Sequence, residues 1–469
     1  MKTPQCTFAV LFGSRGLFPS SLIAAARAEV SETLQQLGHR VLMMDADATR
    51  HGAIETPEEG CKFARFLEKN RHEIDGIILT LPNFGDENGA IAALCDARLP
   101  ILVHAYPDSL NAMNSAQRRD AFCGKFSIMD VFCQNNVLFT ALKPHVVAPA
   151  MPAFAENIDY FASLCRVVRG MKSLTLGAIG ARTTAFKTVR IDELTLQSHG
   201  VTVETVDLSD IFARARKFKE DDAKIQTKAA KLQNYTSWNG VPESAFVNLV
   251  RLGAAMDDIV TEMALDAVSI RCWPEMQQQF GVSVCVLLSE MNDRGLPAAC
   301  ELDTGSAVMM YALRQASGDV TACLDWNNNY GEDQNKCILF HCGPVPQRMM
   351  TNKGTVIDHA MFASTMGPGC SYGCNVGRIS PAPFTFGGLL TKAGRVNVYL
   401  GEGEFTADPI PQDFFGCAGV AAIPNLQDVL QTIASSGHRH HVAVSPGRFG
   451  KPLQEAFEKY LHFDVAAVG

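Results

Sequence analysis

The chain has 469 residues, 47% hydrophobic and 19% charged, which suits a well-packed protein of two or three domains and argues against a disordered one. A net charge of −8 without any basic block argues against nucleic acid or an anionic membrane as the main partner, and a small ligand fits better. No window approaches the ~18 apolar residues that span a bilayer. The opening "MKTPQCTFAVLFGSRG" lacks the charged start and cleavage site of a secretory signal. The 15 cysteines are scattered, mostly in apolar runs such as "VSVCVLL" and "CILFHC", the pattern of reduced, buried thiols in a cytoplasmic protein. Cys370 and Cys374 form a C-x-x-x-C string without a second pair, so a structural zinc site is the lesser reading.

In chain order, "CTFAVLFG" (6–13) predicts a strand and "SSLIAAARAEVSETLQQLG" (20–38) a helix between a candidate Ser20 cap and Gly38. "RVLMMDA", a helix near 57–70, "DGIILTL", a helix near 88–95 and "PILVHA" follow. Continuously apolar strands separated by helices predict a parallel sheet covered on both faces, a doubly wound α/β domain over 1–170. A second such domain is expected over 171–344. It runs from "SLTLGAIGA" through a helix near 184–198, "VTVETVDL", long helices across 207–264, "AVSIRCW" and "AACELD". "ACLDWNN" and "CILFHCG" are read as its closing strands, and "ARARKFKEDDAKIQTKAAK" as a solvated helix face. Over 345–469 glycine and proline become dense, and runs such as "GRVNVYLGEGEF" predict a smaller β-rich, barrel-like domain. Helical "PNLQDVLQTIASS" leads there into "SSGHRHHVAVS".

Ligands of α/β sheets sit at strand ends, so acids and imidazoles there come first. "PAACELDTGS" delivers Glu301 and Asp303, "TACLDWNNNY" delivers Asp325, Asn327 and Asn328, and "ILFHCGP" delivers His341. Burying such charges alone would cost several kcal/mol, so a bound metal or a partner is required. A mixed O/N set suits Mn²⁺, with Mg²⁺, Co²⁺ or Fe²⁺ as competitors, and has too few thiolates for structural zinc. The plainer alternatives are helix capping, which fits Asp303 ahead of "TGSAVMMYALRQ", and hydrogen-bonded filler for a single histidine. His438, His440 and His441, three of only 12 histidines, could supply a last ligand from the C-terminal domain.

"ACELD", "LDWNNN", "HCG" and the late "HH", in this order, resemble the L-fucose isomerase/L-arabinose isomerase superfamily of metal-dependent aldose–ketose isomerases. "GSRGLFP", "LPNFGDENGA" (81–90) and "GAIGARTTAFKTVR" (177–190) add to a likeness that covers essentially the whole chain. The resemblance implies that Glu301 and Asp325 are both metal ligands and the proton-transfer pair. It implies His441 as the ligand from the tail and His341 as a fourth ligand of the arabinose-isomerase branch. Arg15, Phe84, Asn327 and His440 are then the expected substrate contacts, Arg15 reaching the site of a neighbouring subunit in a homo-oligomer such as a hexamer. His438 is expected to be structural or exposed. The chain is shorter than L-fucose isomerases, chiefly at its C-terminal end, and its compact size resembles sulfoquinovose isomerases. A sulfonate would need cationic or N–H donors, for which Arg15 at a strand-to-helix turn is a candidate. Another divalent-metal sugar enzyme, an aldolase or hydrolase, and a non-catalytic sugar-binding protein are the competing readings.

Overall fold

A computed structural model of the chain describes residues 4–183 and 185–469; Met1 to Thr3, at the head of the opening string, and Thr184, at the start of the helix expected near 184–198, lie outside it. The chain forms two compact units, 1–169 and 170–469. The first holds β1 (Thr7–Gly13), α1 (Ser21–Gln36), β2 (Arg40–Leu42), β3 (Ala53–Ile54), α2 (Pro57–Asn70), β4 (Gly76–Leu81), α3 (Glu87–Leu94), β5 (Ile101–Ala105) and α4 (Ala121–Gln134). α5 (Pro152–Met171) runs to its end. Its sheet is parallel, ordered β2-β1-β4-β5 with β3 also on β1. β1, β4 and β5 are buried almost throughout, as a sheet covered by helices on both faces requires.

The second unit begins with another parallel sheet, ordered β7-β6-β8-β9. Its strands are β6 (Leu174–Ile179), β7 (Val201–Val206), β8 (Ala267–Ile270) and the two-residue β9 (Ala298–Ala299). Its helices are α6 (Glu193–Ser198), α7 (Leu208–Lys217), α8 (Ala223–Tyr235), α9 (Glu243–Glu262), α10 (Glu275–Phe280), α11 (Cys285–Asp293) and α12 (Thr304–Ser317). The helix expected near 184–198 is thus confined to α6. The charged stretch after 212 is not wholly solvated: Lys228 is 4% exposed and pairs with Asp257 and Glu290, each at 2.8 Å.

The remaining strands are β10 (Ala322–Tyr330), β11 (Asp333–His341), β12 (Thr355–Asp358), β13 (Tyr372–Arg378), β14 (Ala382–Lys392), β15 (Arg395–Phe405), β16 (Cys417–Ala422), β17 (His441–Pro446) and β18 (Asp464–Val468). They make one nine-stranded sheet among the described residues, ordered β12-β13-β16-β11-β10-β17-β14-β15-β18, and β15 also pairs with β16. Helices α13 (Ala360–Met366), α14 (Leu426–Ser436) and α15 (Gly450–Glu455) punctuate it.

Here the structure corrects the reading of "ACLDWNN" and "CILFHCG" as closing strands of the middle parallel sheet. β10 and β11 pair with each other antiparallel and belong to the large sheet. The turn between them is too short for the crossover of a dozen or more residues that parallel neighbours need. Gly331 occupies it at φ +56°, a left-handed conformation that glycine adopts without strain. Among the described residues, no helix is long and apolar enough to cross a membrane.

Candidate active site

Asp325 lies within β10 rather than at its exit, because the hairpin carries the strand on to Tyr330. One flank of β10 is β17, where His441 sits directly opposite Asp325; the other is β11, where Phe340 opposes Asp325 and His341 follows. Sheet register therefore sets one imidazole against the acid, since opposed residues stand about 4.5–5.5 Å apart at Cβ, and His341, the last residue of β11, joins them at the strand's end. The second acid comes from the parallel sheet. After β9 the chain turns sharply, with Glu301 at φ 62° and Leu302 at φ 59°, and the Leu302 N–H donates to the Ile270 carbonyl at 2.9 Å. Two successive non-glycine residues in the left-handed region cost roughly 1–2 kcal/mol each. Such strain persists where the surroundings impose it, often at functional sites.

The Glu301 carboxylate lies 2.9 Å from His441 Nε2, and Asp325 Oδ1 lies 3.4 Å from the same nitrogen. The ligand atoms of Asp325, His341 and His441 fall within 4.8 Å of one another, as do those of Glu301, His440 and His441. His441 and His341 are 1% and 3% exposed. His441 Nδ1 stands 2.7 Å from Asp303 Oδ2. A carboxylate can only accept, so Nδ1 holds the proton and the lone pair of Nε2 faces the two acids.

That arrangement is electrostatically incomplete. Asp325 Oδ1 and His441 Nε2 are buried without a hydrogen bond of acceptable geometry, and an imidazole lone pair confronts two carboxylates. A divalent cation resolves all three at once, and an Asp–His pair behind it is the usual way a ligating imidazole is oriented. The residues present therefore fit a hard or borderline divalent ion bound by Glu301, Asp325 and His441.

The two acids are tuned apart. Burial would raise the Glu301 carboxyl, but positive charge at the facing His441 and His341 rings, the place a bound cation would take, holds it below the usual range. Burial dominates at Asp325 and raises it despite the same imidazoles. Opposite shifts in a carboxyl pair are what acid–base work on one substrate requires.

Asp303 does more than the capping role expected of it. It accepts from the Ser306 N–H at 3.0 Å at the start of α12, and it also orients His441 and pairs with Arg439. Burial would push its carboxyl up, yet Arg439 and His441 hold it far below the ordinary carboxylate range. Sequence reasoning missed Arg439. Its one signal was its place two residues before His441, with which it shares Asp303.

A pocket of about 300 Å³ opens beside the cluster, lined by Glu301, Asp325, His341, Phe186, Trp273 and His359 among others. Trp273 donates its indole N–H to Glu301 at 3.3 Å, and the Phe186 ring stands 5.5 Å from His440 and 6.0 Å from His441. Apolar walls with a few converging polar groups suit a sugar-sized ligand. None of Phe186, Trp273 or His359 carried a readable signal, because each follows a strand or bend whose direction only the fold sets.

The expected substrate contacts fare unevenly. His440 is 44% exposed with its Nε2 3.8 Å from Asp325, at the edge of the cluster. Asn327 is exposed at a bulge of β10 and does not line the pocket. His438 is half-buried, edge-on to Tyr399 at 4.7 Å. In the first unit Arg15 and Phe84 meet, the guanidinium 4.3 Å over the ring. Arg15 also donates to the Gly85 carbonyl at 2.9 Å and pairs with Glu87.

Comparison with known proteins adds the class. Residues 9–172 match the fucose/sulfoquinovose isomerase N-terminal domain, and residues 339–468 match the L-fucose isomerase C-terminal domain. A sulfoquinovose isomerase of Alkalicoccus urumqiensis is 23% identical over 83% of this chain and 85% of its own. One of Clostridium sp. (strain MSTE9) is 31% identical over 42% of this chain and 44% of its own, and one of Priestia aryabhattai is 22% identical over 82% and 83%. Fold, site and relatives together define a sugar isomerase of the aldose–ketose kind. The chain belongs to the fucose isomerase family.

Proposed function

We propose that the protein converts sulfoquinovose to 6-deoxy-6-sulfofructose with a bound Mn²⁺ ion, Glu301 and Asp325 moving the proton. The observation that carries the chemistry is the meeting of the Glu301 and Asp325 carboxylates at a single imidazole nitrogen of His441. The substrate rests on the printed names of the relatives.

When bound, the cation supplies Lewis-acid stabilisation of the negative charge that develops on the sugar's O1 and O2. One carboxylate removes the proton from C2 of the aldose and delivers a proton to C1, while the other carboxyl takes the proton from O2 and gives one to O1. Trp273 fixes the Glu301 head group, and Phe186 and Phe362, which both line the pocket, exclude water from the reacting carbons. Asp303 keeps His441 in the tautomer that ligates.

A homo-oligomer with Arg15 reaching a neighbour's site belongs to the same reading, as does a cytoplasmic location. Support for an oligomer comes from the first unit, where Leu17 and Leu110 are over 90% exposed and Phe122 and Phe126 about half exposed. The barrel shape of the C-terminal sheet is also proposed, supported by the β15–β16 pairing, as is a three-domain division whose first boundary is 170 and whose second, expected at 344, moves ahead of β10 because β10 and β11 join the large sheet. The test is a panel of aldoses, sulfoquinovose, L-fucose and D-arabinose, given to Mn²⁺-loaded protein while ketose is followed. The sulfonated ketose should form fastest and without cleavage products; faster turnover of fucose or arabinose overturns the substrate.

A further inference from the structure

The two buried imidazoles of the site are held in opposite tautomers. At His441, Nδ1 faces the acceptor-only carboxylate of Asp303 at 2.7 Å, so the proton is on Nδ1 and Nε2 is free to ligate. At His341 the same position faces a backbone donor. The backbone N–H of Cys342 donates to His341 Nδ1 at 2.9 Å, and the Cys342 thiol stands 3.3 Å from that nitrogen. A backbone N–H cannot accept, so His341 Nδ1 carries the lone pair and, in a neutral ring, Nε2 carries the hydrogen. A proton on Nδ1 would set two donors against each other across 2.9 Å.

His341 Nε2 is buried, lines the pocket and has no hydrogen-bond partner. An N–H cannot bind a cation; it needs an acceptor. The Glu301 and Asp325 oxygens share its pocket, where the sugar oxygens must come to reach them. We propose that His341 is not a metal ligand but a catalytic hydrogen-bond donor, its Nε2–H contacting a hydroxyl or carbonyl oxygen of the substrate beside C1 and C2. This rests on the metal-isomerase reading above and adds the division of labour between the histidines.

Pulsed EPR of Mn²⁺ bound to the protein counts ligating imidazoles through their ¹⁴N couplings, without turnover. One imidazole is expected in the wild type and in His341→Leu, with Mn²⁺ affinity unchanged within about threefold. The kcat of His341→Leu should fall about 100-fold, the scale for removing one preorganised donor. His341→Gln, whose amide N–H reaches a similar place, should recover about tenfold of that and serves as the folded alternative should leucine disturb packing. Two imidazoles in the wild type with one lost in either variant, or a more than tenfold loss of Mn²⁺ affinity, overturn the donor role while leaving the metal site standing. Wild-type kcat in His341→Leu also overturns it. A wild-type protein that binds no Mn²⁺ overturns the metal-site reading and this one with it.

Discussion

Two strand-end turns of this molecule carry charged residues, and they are built on opposite plans. The Arg15 turn of the first unit is satisfied within itself: the guanidinium has a carboxylate, a carbonyl and an aromatic ring, and its own N–H donates to Asn83 at 3.0 Å. Around the Glu301 turn of the second unit, polar atoms of Asp325, His341 and His441, on three strands of the large sheet, have no hydrogen-bond partner. Unmet valence in a buried place costs free energy that folding alone would remove, so it marks where a ligand completes the structure. A satisfied turn, by contrast, presents a preset shape and contributes position rather than reactivity.

The largest effect should come from the acids. Glu301→Gln and Asp325→Asn each remove charge with little change of volume, and kcat should fall about 10³-fold or more with far-UV circular dichroism unchanged. A variant near wild-type rate with added Mn²⁺ would break the contrast between the two turns. Metal removal is next. Dialysis against a chelator should abolish ketose formation, and Mn²⁺ should restore it; full activity of the apo protein would refute the cation as the missing partner.

Asp303→Asn sharpens the argument further inside. It exchanges the acceptor that fixes His441, so Mn²⁺ affinity by titration calorimetry should weaken about 10–100-fold, as for other groups that orient a ligand. It also leaves Arg439 buried without its counter-charge, at a cost of about 3–5 kcal/mol in denaturant unfolding. An unchanged metal affinity would show that the Asp303–His441 contact is only structural.

Arg15→Ala tests the satisfied turn. It should raise KM about tenfold with a smaller change in kcat, and mixing it with Asp325→Asn under subunit exchange should restore part of the activity. No recovery would count against sharing of the site between subunits. The smallest effect belongs to His438→Phe, which keeps an aromatic ring against Tyr399 and should leave kcat/KM within about twofold.

Residues legible in the sequence were those whose chemistry is scarce and whose position follows from local pattern. Glu301, Asp325, His341 and His441 are acids and imidazoles bounding apolar runs, and they do converge. Asn327 was picked from the same string as Asp325, but a β-bulge turns it to solvent. Asp303 was readable only as a cap, because its contact with His441 spans 138 positions. The β10–β11 hairpin was misplaced because apolar content looks alike in parallel and antiparallel strands, and the brevity of the connecting turn was the overlooked clue.

Composition and periodicity by themselves determined that the chain alternates strands and helices before turning β-rich, and which few polar side chains would be costly to bury alone. Those are properties of near neighbours along the chain, where burial preference and turn chemistry act. Tertiary structure alone decided which nitrogen of each histidine is free, since a tautomer is set by whatever lies opposite the ring. An aspartate faces one Nδ1 and a backbone N–H faces the other, so two chemically identical side chains present a lone pair and a proton to the same cluster of acids.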